Sequence, residues 1–428
     1  MKLFQQMLVA SAAIGLIAPI GAQANDINIE GMNSYSSSKS SSKKQQFNSK
    51  TFANELATVN EKIDGLETQL NEFEAGSFSD TTTFDGKVNF TVGALSYDGT
   101  GTDTVSNEAT LFQYMWQGNL NTSFTGDDNL YVRLKTGNAS SWTKDKDHGT
   151  YLSSAKGNSN AIKVDKIWYS FPVGESNTVF VGPLIENYYM HGTTPSIYKP
   201  VLKAFTLGGN GAAYGASTDT GAGWSFKADN GFAVSSNIGT KSKSTQKDSD
   251  DNYIESGLLT NESKTSWATQ VGLTKEQYAV SAMVNLKYNG WSDSYYTAGS
   301  AQTGNTTNYG LRAWWRPSET GTATPEVSLG YDYTTIADVA DSVDSTDAYF
   351  VGLSWLDTFN ADDRIGIAFG QPQTREDNTA SPFMWEAYYA FKPNDSVTIT
   401  PTIFAATDAN GSAGEDYTGA VIETQFKF

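Results

Sequence analysis

The residues of this chain that could carry chemistry are cations and aromatic rings at alternate positions of apolar runs. Two runs hold three such residues each and a third run begins with an arginine: Tyr131, Arg133 and Lys135; Arg312, Trp314 and Arg316; and Arg364. In a β-strand, residues at alternate positions share one face. Guanidinium groups bind carboxylates through paired hydrogen bonds, and ammonium groups attract anions. The pattern predicts non-covalent recognition of anions, sugars or carboxylates, unless acidic residues on the same face neutralise the cations.

Covalent and metal chemistry are disfavoured by the residue types present. The chain has no cysteine and two histidines, His148 and His191. A thiolate site therefore cannot form, and two imidazoles offer little toward a metal centre. The sequence has no Gly-x-Ser-x-Gly nucleophile elbow, and neither histidine has a recognisable nucleophile partner. We expect a protein that is not an enzyme and that carries no metal and no cofactor.

The charge balance narrows the range of partners. Acidic residues outnumber basic ones by 47 to 29, which gives a formal net charge of −18. Such a chain repels nucleic acid, so no nucleic-acid partner is expected. Several of the long polar segments are acidic and would attract cations, although acidic residues on exposed loops are also the ordinary state of a solvated surface.

The final stretch, residues 418–428, predicts how those strands are held. Ile422, Phe426 and Phe428 fall on one, mostly apolar, face, and Glu423 and Lys427 fall on the other. A long alternating strand that ends on an aromatic residue is typical of the strand that closes an outer-membrane β-barrel, with its apolar side toward lipid. The alternative is an edge strand of a secreted β-sandwich.

A two-residue period runs from about residue 77 to the end of the chain. Seven short turns interrupt it, near residues 125–129, 174–177, 229–231, 275–277, 318–324, 358–363 and 392–395. Eight longer polar segments lie between the turns, the third of them at 186–220. Short turns that alternate with long loops are the topology of an outer-membrane barrel. We predict an all-β, antiparallel transmembrane barrel of about sixteen strands over residues 77–428.

The region before the barrel divides into three parts. Residues 1–24 have the charged start, apolar run and small-residue end of a secretory signal peptide, and residues 25–50 form a Ser/Lys-rich flexible linker. Residues 51–76 carry a heptad seam: Phe52, Leu56, Val59, Ile63, Leu66, Leu70 and Phe73. This spacing favours a short coiled coil in the periplasm and a homo-oligomer. The alternative is an amphipathic helix that folds back on its own domain.

Several motifs, in order along nearly the whole chain, resemble the cyanobacterial outer-membrane porins, also called iron-uptake porins. They are Phe84-Asp85-Gly86-Lys87, Phe171-Pro172-Val173-Gly174, Val181-Gly182-Pro183, the run from Leu311 to Pro317, the run from Gly366 to Pro372, and Thr398-Ile399-Thr400-Pro401. The barrel part is similar to the OprB-type carbohydrate-selective porins. One departure is that the surface-layer-homology domain usual in the family is missing, and only the linker at 25–50 occupies its place. Cell-wall binding is therefore not expected from such a domain.

The resemblance implies a passive channel in the outer membrane for small hydrophilic solutes and inorganic ions, with iron and carbohydrates as candidates. It also implies that the third loop folds into the lumen, and it favours a trimer surrounded by outer-membrane lipid. The candidate constriction residues are Glu186, Asn187, Tyr188, Tyr189, His191, Tyr198, Lys199 and Lys203. The alternative function is a structural or adhesive barrel that links the outer membrane to the cell wall.

Overall fold

The structure is a computed structural model that describes the barrel region. The described residues are 77–79, 81–98, 110–146, 148–209, 212–214, 219–241, 243–247, 249–250, 253–255, 257–261, 263–291, 305–337, 344–376 and 378–428. The predicted signal peptide, linker and heptad helix, residues 1–76, lie outside them.

Nineteen strands occur among the described residues, and most of them are between eight and seventeen residues long. They are β1 (Ser77–Ser79), β2 (Thr82–Asp98), β3 (Leu111–Thr122), β4 (Asn129–Gly137), β5 (Lys163–Val173), β6 (Asn177–Leu184), β7 (Thr220–Lys227), β8 (Phe232–Lys241), β9 (Lys243–Lys247), β10 (Tyr253–Glu255), β11 (Lys264–Thr274), β12 (Tyr278–Tyr288), β13 (Asn305–Trp315), β14 (Glu326–Ala337), β15 (Ser345–Leu356), β16 (Arg364–Arg375), β17 (Phe383–Asn394), β18 (Val397–Thr407) and β19 (Asp416–Lys427). Short 3₁₀ turns occur at Ser141–Lys144, Asn187–Met190, Lys203–Gly208 and Ala409–Gly411. Within this part of the chain, no helix is long and apolar enough to cross a membrane.

Sixteen of these strands form one closed antiparallel barrel, as the turn and loop pattern predicts. Each strand pairs with its neighbours in the chain, β8 pairs with β11, and β19 pairs with β2 to close the ring. The strands β9 and β10 form a separate ribbon in the loop between β8 and β11. The seven predicted turns all lie at one end of the barrel, which we call the turn end, and the loops lie at the loop end.

The last residue of the chain fixes the closure at the turn end. The backbone N–H of Gly86 donates to the carbonyl of Phe428 at 2.9 Å, and the N–H of Phe428 donates back to Gly86 at 3.2 Å. A Cβ atom at Gly86 would lie 2.5 Å from the carbonyl oxygen of Gln117 and 2.6 Å from the Phe428 ring. Glycine is therefore required where the terminal aromatic ring folds over β2.

The strand residues alternate between an inward and an outward face. On β12 the inward Ala279, Ser281 and Met283 are buried, whereas the outward Tyr278, Val280 and Val284 are exposed. The outward positions form the apolar band that faces lipid in such barrels. The inward side therefore contains the polar and charged residues that can act on a solute.

Two turns are stabilised in the same way, by hydrogen bonds to an aspartate carboxylate. Asp128 accepts hydrogen bonds from the backbone N–H groups of Phe124 and Thr125, each at 2.8 Å, and from the Tyr169 hydroxyl at 2.6 Å. These bonds, that of Tyr169 first, hold the pKa of Asp128 below its usual range, although burial opposes them.

The turn between β15 and β16 repeats this arrangement. Asp363 accepts from the backbone N–H groups of Thr358, Phe359 and Asn360 and from the Tyr389 hydroxyl. Burial alone would raise the pKa of Asp363, and these hydrogen bonds lower it. In both turns a hydroxyl residue is followed by Phe, then by Thr or Asn, then by a small residue, and then by two Asp residues. The two halves of the barrel thus share one way of ending a strand.

Candidate functional site: the lumen and its two loops

The loop between β6 and β7 is called the third loop, and its described residues 185–209 and 212–214 fold into the barrel. Its outgoing part contacts inward side chains of β11, β13, β14 and β17 in turn. The bonds are Thr193 N–H to Gln270 at 2.9 Å, the Trp314 indole N–H to the Thr194 carbonyl at 3.0 Å, Ile197 N–H to Ser328 at 3.2 Å, and Leu202 N–H to Glu386 at 2.6 Å. The loop therefore lies along the inner wall on that side of the lumen.

The returning part of the third loop lies against β12 and β13. The Arg312 guanidinium donates to the Leu207 carbonyl at 2.9 Å, and the Lys287 ammonium donates to the Ala212 carbonyl at 2.8 Å. Because both cations bind loop carbonyls, this part of the wall is also covered.

One carboxylate, Glu386 on β17, holds the far end of the loop. It is fully buried and accepts the Tyr198 hydroxyl at 2.9 Å and the N–H groups of Val201 and Leu202 at 3.2 and 2.6 Å. Such bonds to a buried acceptor are costly to break, because the donors would be left without partners. Glu386 thus fixes the position of the loop across the lumen.

The loop between β4 and β5, residues 138–162 and called the second loop, pairs with the third. Leu152 forms an isolated antiparallel β-bridge with Leu202. On either side of it, the Ser153 N–H donates to the Val201 carbonyl at 2.7 Å, and the Lys203 N–H donates to the Tyr151 carbonyl at 2.8 Å. The Ser154 hydroxyl also donates to Glu423 on β19. The two loops therefore form one ribbon that two barrel carboxylates hold.

A hydrophobic core seals the wall beneath this ribbon. Its members come from both loops and from inward positions of several strands, and six of them are at most 3% exposed: Leu95, Trp142, Leu202, Phe205, Phe350 and Phe404. Phe350 packs against the Tyr198 and Phe205 rings at centroid distances of 5.7 and 5.8 Å. Apolar side chains on an inward face would be unfavourable if they were exposed to water. The two loops cover these side chains and keep water away from them.

The opposite wall, on β4 and β5, carries an ion-pair network instead. Arg133 donates to Asp165 at 2.6 Å and lies 2.7 Å from a carboxylate oxygen of Glu186 on the third loop. Lys156 of the second loop donates to the other oxygen of Asp165 at 2.7 Å. Val164 pairs with Leu134 and Lys166 pairs with Arg133, so β5 has a register shift at Asp165. Because of this shift, Asp165 reaches the network.

Four aromatic rings lie beside this network. Tyr131 stacks on Trp168 at 4.4 Å, and Tyr189 of the third loop lies 5.2 Å from Trp168 and 5.0 Å from Tyr188. Tyr189 is 46% exposed, whereas Tyr131 and Trp168 are buried. The result is one accessible ring face beside charged hydrogen-bonding groups.

The residues predicted from the sequence therefore fall into separate environments. Arg312 points inward, but it is paired with Asp332 at 2.6 Å, stacked on Tyr214 and covered by the third loop. Arg316 lies beyond the end of β13 at the turn end, exposed and stacked on Trp314. Arg364 is paired with Glu326 at 3.2 Å.

The candidate residues of the third loop also divide. Asn187, His191 and Tyr198 are buried against the wall. Tyr189 and Lys199 are exposed, and Lys203 is half-buried over the Tyr151 ring. Burial lowers the pKa of His191 to about 3, so this imidazole is neutral at physiological pH. Only part of the loop therefore presents side chains that could meet a solute.

Some residues of the site were missed by the sequence reasoning. Glu386, Asp165, Trp168 and Lys87 were not predicted as site residues. Lys427 was placed on the polar face of the closing strand but was not assigned to the site; Lys87 and Lys427 both face inward at the turn end. Strand alternation contains the signal for all of these except Asp165, whose inward position depends on the shifted register of β5.

A family profile described as carbohydrate-selective porin, OprB family, matches residues 38–428. Two uncharacterized cyanobacterial proteins are similar to the chain. One from Nostoc sp. (strain PCC 7120) is 26% identical and covers 88% of this chain and 70% of its own length. One from Synechocystis sp. (strain PCC 6803) is 24% identical and covers 88% of this chain and 74% of its own.

Solved porins share the fold. Pseudomonas putida OprB superimposes with a TM-score of 0.57 at 13% identity and covers 85% of this chain and 97% of that one. The anion-selective porin from Comamonas acidovorans gives 0.50 at 12% identity and covers 81% and 99%. The closed barrel, the loop within it and the profile match over most of the sequence agree. The chain is an outer-membrane porin and belongs to the OprB family of carbohydrate-selective porins.

Proposed function

We propose that the chain is a passive channel for small hydrophilic solutes, and that sugars pass it by stacking on Tyr189. The observation that carries this proposal is the accessible Tyr189 ring beside Trp168 and Tyr131, next to the network of Arg133, Asp165 and Glu186. An aromatic face binds the apolar face of a sugar ring, while charged groups bind its hydroxyls.

The pore lies between the ribbon of the second and third loops and the turn-end part of the wall of β2 to β5. Inward residues near the turn end of that wall keep contact with water, among them Lys87, Gln117 and Asn119. The third loop presents Tyr189 and Lys199 on its exposed side. The aperture is thus lined by hydroxyl, amide and ammonium groups, which suits polar solutes rather than apolar ones.

Conductance and sugar permeation test the proposal. Purified protein in planar bilayers should give stepwise conductance, and glucose should reduce the current in a saturable way. Tyr189→Ala should weaken the apparent affinity for glucose by about fivefold, since loss of a stacked ring removes about 1 kcal/mol. Tyr309→Ala is the matched control, because Tyr309 is equally exposed, at 45%, but faces outward. Folded, inserted protein that gives no conductance would refute the channel function, and an equal effect of both variants would refute the role of Tyr189.

The assembly is proposed to be a homotrimer in the outer membrane, with the heptad helix in the periplasm. A trimer form of OmpT from Vibrio cholerae shares the fold, with a TM-score of 0.50 at 13% identity. The heptad seam at 51–76 supports self-association, because the barrel would hold three such helices close enough to pair. Deleting residues 25–76 should lower the thermal stability of the oligomer on gels without abolishing conductance.

A further inference from the structure

The strands that close the barrel place two lysines opposite each other. In the pairing of β2 with β19, Lys87 is the direct partner of Lys427, Asn89 of Gln425 and Thr91 of Glu423. These pairs occupy the inward face, since Phe90 and Phe426 point outward and their rings meet at 5.5 Å. The inner side of the closing seam therefore begins, at the turn end, with two positive charges side by side.

Like charges directly opposite on neighbouring strands destabilise a sheet. Among the described residues, neither Lys87 nor Lys427 has a carboxylate within ion-pair distance. The two acids on the same inner wall are bound by neutral donors: Asp85 accepts from Asn119 at 2.6 Å and from Asn121 at 3.2 Å, and Glu423 accepts from Ser154. The hydrogen bond from Gln425 to Asn89, at 3.2 Å, lies between the lysine pair and Glu423. The charge of Glu423 acts on Lys87 more strongly than the charge of Lys427 does, but no ion pair forms, so the seam keeps two like charges that this acid compensates only at a distance.

A third ammonium group approaches from the third loop. Lys199 is exposed and lies between Tyr198 and Val201, which are bound to Glu386 on β17, two strands from β19. The pKa of Lys199 is lowered by burial and then by the positive charges of Arg364 and Lys427, while Glu326 opposes the shift. Lys199 is thus coupled electrostatically to Lys427, more weakly than to Arg364 and Glu326, and it has no ion-pair partner in the part of the chain that the structure describes.

We propose that Lys87, Lys427 and Lys199 form an anion-binding site at the turn end of the pore. Its ligands are small anions, such as inorganic phosphate or the carboxylate and phosphate groups of organic solutes, and its effect is to make the channel prefer anions. A bound anion removes the repulsion between the facing lysines, which explains why the pair is tolerated. The preference for anions occurs inside a protein whose overall charge is −18, so it arises from these lysines and not from the surface. The inference rests on the proposed channel function for transport, but binding at the site does not require conduction.

Two measurements test the site, one of them independent of conduction. Isothermal titration of folded protein in detergent with inorganic phosphate should show saturable binding, weakened about tenfold or more in the variant Lys87→Gln/Lys199→Gln/Lys427→Gln. In planar bilayers with a potassium chloride gradient, the reversal potential should show chloride preferred over potassium. The triple variant should lose most of that preference.

Lys275→Gln is the matched control, since Lys275 lies in an exposed turn at the same end and binds the Asn230 carbonyl outside the lumen. Heat-modified mobility on gels confirms folding, and Lys199→Gln alone, a change on a loop, serves if the triple variant does not fold. A wild-type preference for potassium, or unchanged phosphate binding in the folded Lys→Gln variant, overturns the site. Phosphate binding without conductance would support the site and refute the channel function.

Discussion

The two sides of the lumen are built from strands of the same period, but one is lined by apolar side chains and the other by charged and aromatic ones. On β15, β17 and β18 the inward positions include Phe350, Met384 and Phe404, each at most 1% exposed beneath the two loops. On β4 and β5 the inward positions are Tyr131, Arg133 and Lys166, with charged and aromatic partners. The wall under the loops resembles a protein core, and the other wall resembles a binding surface.

The difference shows that the loops decide which part of the inner wall is covered. A cylinder of sixteen strands has no preferred side, because every strand presents an inward face. The third loop covers one side, because Glu386 binds its far end and apolar inward residues favour its burial. The side left open contains the exposed Tyr189 and Lys199 edge of that loop. Loop placement, and not the strand pattern alone, therefore determines which inward residues are covered.

The largest expected loss of stability comes from removing a large side chain from the core that the two loops cover. Phe350→Ala should lower the free energy of unfolding by about 3–5 kcal/mol, because the ring leaves a cavity among Tyr198 and Phe205. Phe112→Ala removes a ring that is 70% exposed on the outer face, so it should cost only the transfer term, about 1.5–3 kcal/mol. Urea unfolding in detergent compares the two variants. Equal losses would mean that the loops do not seal this wall.

The next effect comes from the carboxylate that holds the third loop. Glu386→Gln should cost about 2–3 kcal/mol, since an amide NH₂ would replace either the oxygen that accepts the Leu202 N–H or the one that accepts the Val201 N–H and the Tyr198 hydroxyl. A loosened loop should also give frequent current fluctuations and a mean conductance that differs by about twofold. Single-channel recording checks this prediction. Glu276→Gln, in an exposed turn, should leave both the conductance and its noise unchanged.

A third prediction uses the buried imidazole of the third loop. Burial lowers the pKa of His191 to about 3, so the folded protein keeps this group neutral while the unfolded chain takes a proton below about pH 6.5. Its stability contribution is therefore complete above pH 6.5 and decreases as the pH falls toward 3. At pH 5 the loss should be about 2 kcal/mol relative to pH 8.

His191→Leu should remove that part of the pH dependence, which denaturant titrations at pH 8 and pH 5 would measure. The imidazole nitrogens have no hydrogen-bond partner among the described residues, so the substitution breaks no such bond. If wild type and variant lose the same stability between the two pH values, the outgoing part of the loop is not sealed against the wall.

Much of the barrel could be predicted from the sequence, because strand alternation and turn residues are local signals. Sixteen strands were predicted from the period-two pattern with its seven turns and eight loops. The alternation in residues 418–428 predicted that this segment closes the barrel, as β19 does by pairing with β2. The inward position of Arg133 follows from the same alternation, and its pairing with Asp165 and Glu186 depends on contacts between different loops and strands.

The covered wall was not predicted, although the sequence contains a signal for it. Phe350, Met384 and Phe404 occupy inward positions where a water-filled channel would favour polar residues. Apolar residues at inward positions indicate that something covers them, but they do not say which loop does so. Arg312 is covered because the third loop passes it at Leu207, whose carbonyl it binds. No local sequence pattern encodes that path of the loop.

The smallest effect tests whether the two walls differ only through their loops. Asp128 precedes β4 on the open side and Asp363 precedes β16 on the sealed side, and each caps its turn through backbone N–H groups and a tyrosine hydroxyl. Their pKa values are lowered in the fold, so their stabilising effect is present above the usual carboxyl pKa, near 4, and is lost as the pH falls below it.

Asp128→Asn and Asp363→Asn should each lower the thermal midpoint at pH 7 slightly and by similar amounts, and neither should change conductance. Both differences from wild type should shrink toward pH 3, because the unfolded wild-type chain then binds protons at these carboxyls more readily than the folded protein does. Midpoints of heat-modified mobility at the two pH values provide the measurement. A much larger loss for Asp363→Asn would show that the sealed wall also depends on its turns. Equal losses would place the difference between the walls in the loops, since the strands and turns beneath them would then be energetically alike.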